Sequence, residues 1–255
     1  MFVVVKKKRL ILAIVLCLFL IGGSLLAAIM GTKSNAASAK PKKLLPVYSV
    51  QTDSNKAALT FDAAWGSDKT AKILDILDEY GVRATFFLVG FWIEANPELT
   101  QEIASRGHCI GNHSEDHPHL PTMSKEKMAS QIDSVNDRLE KLTGKRPVFF
   151  RPPFGDYNDA LIGLLREKGM VGIQWDVDSL DWKGISGGQI AERILSRVKS
   201  GSIILCHNNS DHILEALPLV LLGLKNKGLT SVPLSELVMT ENYSIDNSGT
   251  QIKLT

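Results

Sequence analysis

The chain opens with an uncharged, mostly apolar run over residues 10–31 and then changes character twice. That run is long enough to cross a bilayer as a helix, which takes roughly 20 such residues. Residues 32–54 are rich in Lys, Ser, Ala, Asn and Pro and read as a linker. From Lys56 onward, short apolar runs alternate with stretches of helical period. The apolar runs predict strands at 56–61, 82–89, 108–111, 147–151, 170–175, 202–206 and 230–232. Between them the pattern predicts helices at 96–107, 158–168 and 189–199, and one at 211–227 bent near Pro218. A further helix ends at Tyr80, with Ser67 or Asp68 as its cap and Gly81 at its C-terminal side. The clearest helix carries Met128, Ile132, Val135, Leu139 and Leu142 on one face, with Ser124 as its cap. The last strand leads into residues 235–238, and the tail over 240–255 is polar and reads as loose.

Strands alternating with helices predict parallel strands covered by helices. About 180 residues in some seven such units suit one barrel-like α/β domain. The organisation is thus a basic stub and apolar segment (1–31), a linker (32–54), one domain (55–240) and a polar tail (241–255).

Charge sharpens that division. The first 39 residues carry five basic and no acidic side chains, leaving 24 basic against 27 acidic in the rest. A domain so near neutrality has no basic field for nucleic acid. Lys6-Lys7-Lys8-Arg9 before the apolar run should stay cytoplasmic, which puts everything after it outside. The segment reads as an uncleaved single-pass anchor. Ala37-Ser38-Ala39 has the small-x-small pattern of a signal peptidase site, so a secreted form cleaved after Ala39 is the alternative. Cys17 lies in the apolar run, and Cys109 and Cys206 read as buried free thiols. Two cysteines make no disulfide framework.

The candidate chemistry lies at strand ends, where α/β barrels gather their working residues. His113 and His117, four apart between Gly111 and Pro118, form a candidate zinc half-site on a loop. Asp62, Arg151, Asp178 with Asp181, and His207 follow four other predicted strands. Five strand ends therefore deliver ionisable groups to one rim.

Thr60-Phe61-Asp62, His113-Ser114-Glu115-Asp116-His117, Arg151-Pro152-Pro153-Phe154, Asp178-Ser179-Leu180-Asp181-Trp182 and Leu205-Cys206-His207 together resemble the five ordered motifs of polysaccharide deacetylases. These are the NodB-homology, family-four carbohydrate esterases, and the T-F-D-A-A-W start resembles their sporulation-type members. The resemblance implies a distorted (β/α)7 barrel acting as a monomer. It implies hydrolysis of N-acetyl groups on GlcNAc- or MurNAc-containing glycan, peptidoglycan or chitooligosaccharide. In that scheme His113 and His117 hold a divalent metal, zinc by analogy, and Asp62 is the base positioned by Arg151. The Phe154 N–H completes an oxyanion site, and His207 is the acid, oriented by Asp181. Trp182 walls the site, and Trp65, Phe91 and Trp92 either offer faces for sugar rings or pack in the core. One departure stands out: the family's usual third metal ligand is replaced by Ala63. Asp116 and Asp62 are candidate substitutes. The sequence leaves open a deacetylase with a weakened site, one of narrow specificity, or an inactive glycan-binding relative.

Overall fold

The structure, a computed structural model, describes residues 43–254. The apolar segment, its basic flank and most of the linker lie outside the described residues. Among those that are described, no helix is long and apolar enough to cross a membrane.

In chain order the elements are β1 (Ser49–Val50), β2 (Lys56–Ala63), α1 (Thr70–Glu79), β3 (Thr85–Leu88), α2 (Gly90–Ala95), α3 (Pro97–Ser105) and β4 (Cys109–Asn112). Then come α4 (Lys125–Thr143), β5 (Phe149–Phe150), α5 (Asp159–Glu167), β6 (Val171–Gly172), β7 (Val177–Asp178) and α6 (Gly187–Leu195). The chain closes with β8 (Ile203–His207), α7 (Ile213–Asn226), β9 (Thr230–Ser231), β10 (Tyr243–Ile245) and β11 (Thr250–Lys253). Seven parallel strands lie in the order β6-β5-β4-β3-β2-β8-β7, and β9 pairs with the start of β2. The sheet curls as a half-barrel: β6 and β7, adjacent in sequence, stand at its two ends and are not paired with each other among the described residues.

Local chemistry explains the elements. Ser124 caps α4 by accepting from the Lys127 amide, and Gly144 ends it in the left-handed conformation that a residue without Cβ adopts freely. Ser186 and Gln189 close a capping box on α6. Alternation along β2 divides the core. Ala57, Leu59, Phe61 and Ala63 join the apolar cluster under the helices, while Ala58 joins a second cluster with Phe87, Phe149 and Ile203.

Several expectations are corrected. The cap of α1 is neither Ser67 nor Asp68; Lys69 occupies that place without a side-chain bond. The short helix α2 and the strand β7 fall where no element was expected. The predicted strands over 147–151 and 170–175 shrink to two residues each, although Val148 and Ile173 on their flanks still bond across the sheet. Most consequential, the polar tail is not loose. β11 pairs in parallel with β1 and antiparallel with β10, giving a second sheet that joins the end of the chain to residues 49–50. Linker-like composition likewise misleads after Leu44, for Val47 is fully buried and bridges to Ile173.

Candidate active site

Register brings the rim residues together. β2 and β8 pair Asp62 with His207, and β4 and β5 pair Asn112 with Phe150, so His113 and Arg151 leave the sheet side by side. The Arg151 amide donates to the Asn112 carbonyl at 3.0 Å.

Arg151 is wholly buried, and its Nη1 donates to Asp62 Oδ1 at 2.7 Å. Its Nη2 donates to the Gln174 carbonyl, and its guanidinium lies 4.2 Å from the Phe87 ring centre. Burial opposes charge on Asp62, yet the adjoining guanidinium and the nearby imidazoles hold its carboxyl below the ordinary range. Asp62 is therefore a carboxylate with one oxygen committed to Arg151 and the other, Oδ2, available.

His113 donates from Nδ1 to the Arg151 carbonyl at 2.7 Å, which leaves Nε2 as the ligating nitrogen. Burial lowers its pKa and keeps the ring neutral. His117 is pushed down to about 4, first by burial and then by His113. The two rings lie 4.9 Å apart, and His117 Nδ1 is buried with no protein partner. Neutral imidazoles side by side, one with an orphaned nitrogen, suit a cation. The third position does not: Ala63 has no donor atom and lies in the apolar cluster under the helices. No three His, Cys, Asp or Glu side chains among the described residues already stand as a ligand set.

The loop carrying these histidines has left-handed residues at Ser114 (φ 71°) and His117 (φ 55°), conformations that cost energy outside glycine. Side chains hold it there. Asn112 Oδ1 accepts from the Ser114 amide, and Ser114 Oγ from the His117 amide. Gln131 on α4 accepts from the Glu115 and Asp116 amides through Oε1 and donates from Nε2 to Asp116 Oδ2. That bond turns the Asp116 carboxylate toward α4, away from the role of substitute ligand.

His207 donates from Nδ1 to Asp181 Oδ1 at 2.7 Å, and its amide donates to Asp181 Oδ2 at 2.8 Å. Burial opposes protonation of His207, but the bond to Asp181 outweighs it and raises the pKa above the ordinary value. A cavity of about 560 Å³ joins the two pairs, lined by Asp62, His113, His117, Asp178 and His207 with Trp65, Phe154 and Trp182. Those three aromatic residues are each more than half exposed. Phe154 holds φ 59°, and its ring meets His117 edge-on and stacks on His119.

Not every expected residue is here. Trp92 is buried and donates from its indole N–H to the Gly66 carbonyl, so it anchors the Trp65 loop rather than offering a face to sugar. Phe91 packs against the apolar cluster under the helices, with the Trp65 ring centre 6.1 Å from its own. His108, just before the histidine loop, lies at the opposite end of β4 and accepts from the Ala84 amide. Asn112 and Gln131, which hold the histidine loop, and Asn208, which donates to the Gly66 carbonyl beside Trp65, are not singled out by the sequence pattern. Only the polarity of Asn112 within an apolar strand was a signal.

The polysaccharide deacetylase family model matches residues 49–173. A peptidoglycan-N-acetylglucosamine deacetylase of Bacillus cereus is 37% identical over 199 residues, covering 76% of this chain and 72% of that one. The uncharacterized protein YlxY of Bacillus subtilis is 35% identical over 193 residues, 76% of this chain but only 60% of YlxY. Among solved structures, BA3943 of Bacillus anthracis, described as a CE4 family pseudoenzyme, superposes with a TM-score of 0.73 at 30% identity, covering 76% of this chain and 69% of that one.

Proposed function

Because the chain belongs to the polysaccharide deacetylase family, we propose that it hydrolyses N-acetyl groups on a GlcNAc- or MurNAc-containing glycan of the cell envelope, most simply peptidoglycan. The observation that carries this reading is a pair of dyads, Asp62–Arg151 and Asp181–His207, opening into one cavity from neighbouring strands. A buried ion pair is a poor stabiliser compared with apolar packing, so its presence at the mouth of a cavity is better explained by chemistry.

An amide is a weak electrophile with a poor leaving group. The free Oδ2 of Asp62 takes the proton of the attacking water while Arg151 fixes the carboxylate plane. His207, protonated because Asp181 favours its charged form, donates from Nε2 to the departing amine. The Phe154 amide donates to the oxyanion. Trp65 and Trp182 pack against the sugar ring. A divalent cation, zinc or a similar ion, would be held by His113 and His117 and would polarise the acetyl carbonyl. The T-F-D-A-A-W segment favours a sporulation setting. The apolar run supports an anchored, outward-facing domain, for which protease added to intact protoplasts should digest all but a small membrane fragment.

A second reading, a glycan-binding relative without catalysis, is favoured by Ala63 and by the likeness to BA3943, of which a mutant is described as having restored enzymatic activity. Acetate release from cell-wall peptidoglycan, with zinc or cobalt added and then chelated, decides between them. Chelator-sensitive release supports the enzyme. Retention of glycan with no acetate under any divalent metal supports the binding module.

A further inference from the structure

The gap between His113 and Asp62 has the span of a shared ion. His113 Nδ1 is committed to the Arg151 carbonyl, so Nε2 is the nitrogen that faces Asp62 Oδ2, at 3.5 Å. A charge-assisted hydrogen bond would close to about 2.7–2.9 Å. Two donors bound to one tetrahedral zinc at the usual lengths stand about 3.4 Å apart. His117, whose ring is 4.9 Å from that of His113 and whose Nδ1 is buried with no protein partner, is the other imidazole beside this gap.

Each of the other carboxylates near the site has at least one oxygen bonded elsewhere, and among the described residues none of them stands within 4 Å of a ring nitrogen of either histidine of the pair. Asp116 bonds Gln131, both oxygens of Asp181 bond His207, and Asp178 Oδ1 accepts from the Leu180 amide. Position 63 supplies no donor, since it is an alanine packed among apolar side chains.

We propose that Asp62, through Oδ2, is the third protein ligand of the divalent cation that His113 and His117 hold, in place of residue 63. This rests on the reading of the two histidines as metal ligands. Arg151 then has a second task, presenting Oδ2 to the ion by holding Oδ1. Ligation and proton acceptance compete for one oxygen, so the chain turns over more slowly than a relative with separate residues for the two tasks.

The test measures zinc affinity of the metal-stripped full chain by competition with a chromogenic chelator, without substrate. Asp62→Asn should weaken binding at least tenfold. Asp178→Asn, which removes a charge from the same cavity without removing a ligand, should change it less than threefold. Affinity of Asp62→Asn within threefold of the wild type, or equal losses in the two variants, overturns the assignment. Should Asp62→Asn not fold, cobalt(II) in the wild-type chain decides: intense visible absorption of a four- or five-coordinate ion is expected, and the weak absorption of a hydrated six-coordinate ion overturns it. Acetate release is measured separately, so an inactive chain with this affinity pattern would sink the deacetylase reading and leave the ligand assignment standing.

Discussion

Arg151 has no exposed surface, and among the described residues the carboxylate it pairs with is Asp62. Removing one partner of a buried pair strands the other, at a cost of about 3–5 kcal/mol. Asp62→Ala should therefore lower the melting temperature by on the order of 10 °C as well as abolish turnover. A thermal melt unchanged within about 2 °C would show that water reaches Arg151 and that the pair is not a folding element. His207 makes the complementary case in pH. Its pKa is raised, so the acid form persists to higher pH and is lost as pH rises through that raised value. Asp181→Asn removes the lift, so the alkaline limb of kcat should move to lower pH and kcat fall by about tenfold or more. An unmoved limb in the pH–rate profile would mean that another group sets it. Both dyads were legible as residues in motifs. Asp62 as a possible ligand was legible only as a name, since its orientation depends on which oxygen Arg151 takes.

The histidine loop is an element-scale device. Its left-handed residues make it a poor structure in isolation, and α4 supplies the missing restraint through Gln131. The apolar stripe of α4 was plain from the spacing of Met128, Ile132, Val135 and Leu139, and all four are buried. Gln131 sits beside that stripe and looks like any solvated polar residue. Its meaning comes from a loop 15 positions earlier, which periodicity does not encode. Arg138 on the same helix pairs with Glu115 and donates to the Gly90 carbonyl, tying the loop to α2 as well. Gln131→Ala frees two amides and one carboxylate, and should weaken zinc binding by about tenfold, as loss of outer-shell partners generally does. Hydrogen exchange at the Glu115 and Asp116 amides should speed up in the same variant. Unchanged affinity together with unchanged exchange would show that the loop keeps its shape without α4.

At the scale of the whole molecule, the alternation of strands and helices announced the parallel sheet, while its second sheet stayed hidden. β10 and β11 are short, and their sequence alternates too weakly for a strand signal; β11 exists because β1, some 200 positions earlier, offers it an edge. Non-local pairing of this kind leaves no local mark. Yet Gln251 is fully buried, donating to the Met239 carbonyl and accepting from the Met239 amide. The Gly249 φ of 83° lets the turn before β11 pass directly against the Tyr48 ring. Val50, beside β11 in register, belongs to the apolar cluster that also holds Phe87 and Phe149. Truncation after Thr240 should expose that cluster, with a few side chains each contributing about 1.5–3 kcal/mol. The melting temperature should fall by about 10 °C or more. Gly249→Val, which places a branched side chain where Tyr48 stands, should lower it in the same direction by a smaller amount. A truncated chain that melts with the wild type would make the second sheet an appendage, with the curled sheet stable on its own.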